Sequence, residues 1–150
     1  MDISFNFPSG ITLKNRKDLK RFISFIFQKE KKKASTVSLV FCSDEYLLQI
    51  NKTYLQHNYF TDIITFDLSE PGSALIDAEI YISTDTVRAN AKRFGSSINN
   101  ELHRVIFHGV LHLCGYADKS GEEKKRMTQK EDHYLNLYLD VPRGAFGPHS

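Results

Sequence analysis

Residues 99–118 of the chain read NNELHRVIFHGVLHLCGYAD. Apolar side chains occur on almost every side of the helix that these letters predict, so we expect this helix to be buried in the core. His108 and His112 are four residues apart and therefore project from the same side of the helix, one turn above the other. Gly115 suits the left-handed conformation in which many helices end. The chain would turn there and bring Asp118 back towards the two histidines.

These side chains follow the order His-x3-His-x2-Gly-x2-ligand, which is the spacing of the metzincin zinc signature. Two imidazoles and one carboxylate suit zinc, and three protein ligands leave the fourth position for water, as in catalytic zinc sites. Two buried histidines also need polar partners, which a shared ion supplies. We therefore predict that His108, His112 and Asp118 bind one Zn2+, or another divalent metal ion, with the metal-bound water as the nucleophile.

Gly109 directly follows the first histidine, where zinc proteases of the HExxH type carry the glutamate that acts as general base. Glycine can neither accept nor donate a proton, which disfavours peptide hydrolysis by that mechanism. Cleavage of a phosphodiester depends less on such a base, because a metal ion can supply hydroxide and nearby cations can offset the developing charge.

The general base itself stays unassigned, with three side chains as candidates for a catalytic role. Asp62 and Glu79 could accept a hydrogen bond from an imidazole N–H, or they could simply be polar groups at the ends of strands. His57 lies in the loop before the 63–68 segment and could line the cleft.

The composition limits the class of protein. The 150 residues include eight glycines and four prolines, which argues against collagen-like and low-complexity chains. No uncharged apolar run approaches the roughly 20 residues of a membrane helix, and neither Cys42 nor Cys114 lies in a CxxC motif. We expect a cytoplasmic protein with no membrane partner. The net charge of +2 is compatible with nucleic acid but does not by itself indicate it.

Hydrophobic periodicity predicts the remaining elements. Strands are expected at 3–7, 36–42, 63–68 and 74–83, and helices at 15–32, 44–54, 85–94, 100–114 and 120–139. The short connection between the last two strands indicates an antiparallel hairpin. This order predicts a single α+β domain at 1–140, with a small mixed, mainly antiparallel four-stranded sheet and about five helices packed on it. The zinc site would lie at the end of the buried helix, and 141–150 would form a loose C-terminal tail.

The histidine segment resembles the YbeY family, the metal-dependent endoribonucleases of bacterial ribosomal RNA maturation. The family's pattern there is His-Gly-x-Leu-His-Leu-x-Gly-Tyr-Asp-His, and this chain matches it from His108 through Tyr116. It differs at the end, where Ala117 replaces the Asp and Asp118 replaces the third histidine.

Two upstream stretches are also similar to the family. Residues 61–66, TDIITF, resemble the family's Thr-Asp-Val-Leu-Ser-Phe, and residues 79–83, EIYIS, resemble part of its Gly-Asp-Ile-x-Ile-Ser strand. A further difference is Leu55, which stands where the family usually has an arginine that contacts phosphate.

The resemblance implies a YbeY-like metallohydrolase domain at 1–140. Its activity would be that of a single-strand-specific, zinc-dependent endoribonuclease acting in ribosomal RNA processing, maturation and ribosome quality control. The implied partners are a ribosomal RNA precursor and the ribosome or its small-subunit proteins. One alternative is a zinc-dependent protease or other hydrolase, which the metzincin-like spacing permits. Another is a non-catalytic ribosome-associated factor with a structural metal. Leu55 is compatible with this alternative, because it replaces the arginine that contacts phosphate in the family. The candidates for RNA contact are the cations Lys31, Lys32, Lys33, Lys52, Arg88 and Arg93.

Overall fold

The structure is a computed structural model that describes residues 1–8, 13–56 and 61–140. His57 and the predicted tail at 141–150 lie outside the described residues. No helix within the described ranges has the length and apolar character needed to cross a membrane. The elements in chain order are β1 (Asp2–Asn6), α1 (Arg16–Lys29), β2 (Lys33–Cys42), α2 (Asp44–Leu55), β3 (Ile63–Asp67), β4 (Leu75–Ser83), α3 (Thr84–Phe94), α4 (Ile98–Leu113) and α5 (Gly121–Asp140).

The strands form one mixed sheet with the order β1-β2-β4-β3. Strands β1 and β4 both run parallel to β2, whereas β3 runs antiparallel to β4. The prediction of a mixed four-stranded sheet is confirmed, but the prediction that it is mainly antiparallel is wrong. Helix α1 returns the chain between β1 and β2, so these strands run in the same direction. Only the connection between β3 and β4 is short enough to form a hairpin.

Helix α4 is the buried helix that the sequence predicts, and it lies against one face of the sheet. It begins after Ser97, whose side chain accepts a hydrogen bond from the N–H of Asn100, so it starts two residues before the predicted start at 100. The apolar residues of α4 that are at most 5% exposed are Leu102, Val105, Ile106, Phe107, Val110 and Leu111.

Helix α4 lies close to the sheet at Gly109. A Cβ atom added to it would lie 2.8 Å from Cδ1 of Ile63 on β3 and 3.1 Å from Cγ2 of Ile80 on β4. These distances are shorter than the 3.5–4.0 Å at which carbon atoms pack well. A side chain at position 109 would therefore crowd both strands, and this applies to the glutamate that HExxH proteases carry there.

Helix α5 packs against α4 with a buried face that includes one carboxylate. The residues of this face are Met127, Glu131, Tyr134, Leu135 and Tyr138. Helix α2 covers the opposite face of the sheet, where Leu47 and Ile50 meet Ile64 of β3. The side chains of the central strands are thus divided between an α4 face and an α2 face.

Candidate metal centre

His108, His112 and Asp118 meet at the C-terminal end of α4. Oδ2 of Asp118 lies 3.2 Å from Nε2 of His108 and 3.3 Å from Nε2 of His112. One ligand atom from each residue lies within 4.8 Å of the other two. Two imidazole nitrogens and one carboxylate oxygen in this arrangement could hold a metal ion.

The turn after α4 brings Asp118 to the histidines. Gly115 has a φ of 106°, a conformation that glycine adopts at little cost. The N–H of Gly115 donates to the carbonyl of His112 at 3.0 Å, and the N–H of Tyr116 donates to the carbonyl of Leu111 at 3.1 Å. These bonds satisfy carbonyls of the last helical turn and reverse the chain. The predicted turn at Gly115 is therefore present.

The second ring nitrogen of each histidine contacts the protein. Nδ1 of His112 lies 2.9 Å from the carbonyl oxygen of Tyr116. Because a carbonyl can only accept, Nδ1 donates, and in the neutral ring Nε2 keeps its lone pair on the side of Asp118. Nδ1 of His108 lies 2.5 Å from Oε2 of Glu131. Partners of this kind fix the tautomer and the ring orientation of metal-binding histidines.

Glu131 contacts the candidate metal centre, and nothing in the sequence analysis assigned it there. It lies on α5 and is 7% exposed, and its second oxygen accepts a hydrogen bond from Nη1 of Arg104 at 3.2 Å. Nη2 of Arg104 also donates to Asp132 at 2.6 Å. The sequence does contain an indication of this role. Glu131 occupies a core-facing position of an amphipathic helix, and a buried carboxylate needs polar partners.

Several carboxylates surround His108. Burial by itself would lower the pKa of His108, but the hydrogen bond and charge of Glu131, together with the charges of Asp118 and Asp62, raise this pKa above its usual value. Burial raises the pKa of Asp62, the charge of His108 opposes this effect, and the charges of Glu131 and Asp118 add to it. The cluster as a whole favours a positive charge at its centre, which a divalent ion supplies.

Of the three candidates for a catalytic role, Asp62 is the one whose charge interacts with that of His108. The structure places Glu79 elsewhere. Side chains alternate along a strand, so Glu79 shares the α2 face with Tyr81, whose hydroxyl donates to it at 3.3 Å. His57 lies outside the described ranges.

The predicted RNA-binding cations lie on different elements. Within the described residues, no hydrogen bond, ion pair or ring contact joins them to the three-residue cluster. Arg88 on α3 lies 3.9 Å from Asp85, its ion-pair partner. The charge of Lys32 acts on Cys114 at the end of α4, where burial raises the pKa of the thiol to about 12.

The fold and the site define an α+β protein with a candidate three-residue metal centre. The family model described as Endoribonuclease YbeY matches residues 8–139 of this chain. The chain therefore belongs to the endoribonuclease YbeY family, as the resemblance of its motifs indicates.

Relatives of known name and structure agree with this assignment. A protein of Cytophaga hutchinsonii named Endoribonuclease YbeY is 47% identical over 125 residues, which cover 83% of this chain and 87% of that protein. A protein of the same name from Flavobacterium psychrophilum is 40% identical over 136 residues, covering 91% and 96%. A Thermotoga maritima protein solved in solution superposes with a TM-score of 0.63 at 27% identity, covering 95% of this chain and 98% of that one.

Proposed function

We propose that this chain is an endoribonuclease that requires one divalent metal ion, in the first instance Zn2+, bound by His108, His112 and Asp118. Its proposed substrates are single-stranded segments of ribosomal RNA precursors. It would act in the cytoplasm, in ribosomal RNA maturation and ribosome quality control, beside the ribosome or small-subunit proteins. Membership of the family supports RNA as the substrate. The observation that carries the metal requirement is the convergence of two Nε2 atoms and one carboxylate oxygen.

The donor set fits a divalent ion of the zinc type. Imidazole nitrogens and carboxylate oxygens are common zinc ligands, and imidazole also suits copper, iron and nickel. The side chains of His108, His112 and Asp118 are 21%, 27% and 38% exposed, so a substrate can reach them. Three protein ligands with a fourth position left open are typical of a catalytic site, whereas structural zinc sites are usually closed by four protein ligands.

The residues around the cluster have distinct parts in the proposed reaction. When bound, the ion supplies Lewis acidity and an activated water for attack on phosphorus. Glu131 and the carbonyl of Tyr116 orient the rings of His108 and His112. The charge of Asp62 also interacts with that of His108. Asp62 is neither a proposed ligand nor a partner of a histidine ring, and we assign it the role of proton acceptor.

The packing around Gly109 opposes the protease alternative. A side chain at this position would overlap with Ile63 and Ile80, so the general-base glutamate of HExxH proteases has no counterpart there. The non-catalytic alternative differs from the proposal in one measurable respect, because a structural metal would be bound without any cleavage of RNA.

Metal analysis of the pure protein tests the ligand assignment. The wild type should contain one zinc per chain after zinc loading and desalting, and His112→Ala should lose most of it. His133→Ala is the matched control, because His133 is an exposed histidine on α5 outside the cluster. Full zinc content in His112→Ala would show that the assignment is wrong.

Cleavage assays test the reaction and separate the alternatives. Zinc-loaded protein is incubated with an RNA that contains both single-stranded loops and paired stems, and separately with casein. We expect cuts within the loops, no cuts in casein, and loss of cleavage in Asp118→Ala. Cleavage of casein would favour the protease, and stoichiometric zinc without cleavage of either substrate would favour the structural factor.

A further inference from the structure

Glu30 lies at the C-terminal end of α1 and holds together three distant parts of the chain. Its side chain is 11% exposed. The carboxylate accepts hydrogen bonds from the hydroxyl of Tyr116 at 2.7 Å, from the hydroxyl of Tyr134, and from Nζ of Lys130 at 3.4 Å. Burial by itself would raise the pKa of Glu30, but these donors lower it below its usual value. The group is therefore an ionised, largely buried carboxylate.

Tyr116 connects this carboxylate with the metal centre. Its hydroxyl donates to Glu30, its carbonyl oxygen accepts from Nδ1 of His112 at 2.9 Å, and its N–H donates to the carbonyl of Leu111 at 3.1 Å. The residue is thus held at its ring, its carbonyl and its amide. Because Asp118 follows two positions later, the direction of the Tyr116 peptide also determines where the chain delivers that carboxylate.

We infer that Glu30 is a positioning residue for the metal centre, acting through Tyr116 on the orientation of His112 and on the turn that leads to Asp118. This inference rests on the ligand set of the proposed function. Neither Glu30 nor the Tyr116 side chain belongs to that set. A glutamate distant in sequence thereby stabilises the arrangement in which Nε2 of His112 faces the ion, much as other outer partners of ligands do.

The two tyrosines on Glu30 allow this role to be separated from a general contribution to stability. Both donate a hydroxyl to the same carboxylate, but only Tyr116 also holds His112. Tyr116→Phe and Tyr134→Phe are therefore matched variants that each remove one hydroxyl. Glu30→Gln keeps an oxygen that can accept from Tyr116, whereas Glu30→Ala does not.

Two measurements test the inference. Competition with a fluorescent chelator gives the zinc dissociation constant, and long-range nitrogen–proton NMR gives the tautomer of His112 in the metal-free protein. Outer partners of metal ligands typically contribute 10–100-fold to affinity, so Tyr116→Phe and Glu30→Ala should weaken zinc binding by about tenfold. Tyr134→Phe and Glu30→Gln should stay close to the wild type. The Nδ1–H tautomer of His112 should dominate in the wild type and become mixed in Tyr116→Phe.

Two results would overturn the inference. One is wild-type zinc affinity in a folded Tyr116→Phe variant. The other is an equal loss in Tyr116→Phe and Tyr134→Phe that follows their melting temperatures, since affinity would then merely report stability. A different failure belongs to the proposed function: if His112→Ala keeps wild-type zinc affinity, the ligand set is wrong. The tautomer measurement, which needs no metal, then decides by itself whether Glu30 and Tyr116 position His112.

Discussion

Replacing Gly109 with alanine should force α4 away from the sheet. The added Cβ would lie 2.8 Å from Cδ1 of Ile63, and 3.1 Å and 3.2 Å from Cγ2 and Cδ1 of Ile80. Cδ1 of Ile63 ends a side chain on an edge strand and can rotate away. Ile80 is completely buried on an inner strand, and its Cγ2 is attached directly to Cβ. The overlap with Ile80 must therefore be relieved by movement of the helix.

Two opposing contributions set the size of the effect. Overpacking a core costs about 1–3 kcal/mol, whereas alanine stabilises a helix interior by about 1 kcal/mol relative to glycine. We expect the free energy of unfolding of the Gly109→Ala variant to fall by about 1 kcal/mol, the difference between these contributions. The melting temperature should fall by about 2–4 °C for a chain of this length. Urea unfolding of the metal-free protein measures this change.

A second substitution and a control identify the cause. Ile63→Val removes Cδ1 and should cost about 1 kcal/mol in the wild type, but less in the Gly109→Ala background because it relieves one overlap. Gly121→Ala is the control, because a Cβ there meets nothing within 4 Å, and it should not destabilise the protein. If Gly109→Ala is as stable as the wild type and the two substitutions are additive, the packing argument is refuted.

Three further predictions concern charged side chains. Glu131→Ala should weaken zinc affinity by about 10–100-fold in chelator competition, and unchanged affinity would contradict its role in orienting His108. Because the pKa of Glu30 is lowered from 4.5, its ionised form stabilises the fold above that pH and this contribution disappears as the pH falls through the lowered pKa. The stability difference between metal-free wild type and Glu30→Gln should thus be largest near neutral pH and shrink in acid, and a difference that grows in acid would be inconsistent with this. Changing Lys31, Lys32 and Lys33 to glutamine should flatten the salt dependence of RNA binding by about 0.7 per lost phosphate contact, and an unchanged slope would mean that these lysines do not contact RNA.

The part of the site that depends on local geometry could be predicted from the sequence. The spacing of His108 and His112, and the turn at Gly115, involve neighbours in the chain, whose arrangement follows from helix geometry. Glu131 and Glu30 could not be found in this way, because their contacts with the site cross between helices. The face of the sheet on which Glu79 lies also follows from local geometry, because alternation along β4 places it opposite the buried Ile80.

The fold shows the same division between local and long-range information. Each strand and helix has a local pattern, and the hairpin between β3 and β4 follows from its short connection. The direction of β1 against β2 depends instead on how α1 returns the chain. The residue patterns of 3–7 and 36–42 do not indicate that direction. The prediction of a mainly antiparallel sheet was wrong because only the β3–β4 connection is a hairpin, whereas β1 and β4 run parallel to β2.

Helix α5 supplies none of the three proposed ligands, yet two sets of hydrogen bonds connect it with the histidines. Glu131 contacts His108 directly, while Tyr134 and Lys130 hold Glu30, which in turn holds Tyr116. During synthesis all three proposed ligands leave the ribosome before Lys130, Glu131 and Tyr134 do. A chain that ends before Lys130 would therefore keep every ligand but lose these three side chains. Loss of zinc on C-terminal deletion would consequently not show that the deleted residues bind metal.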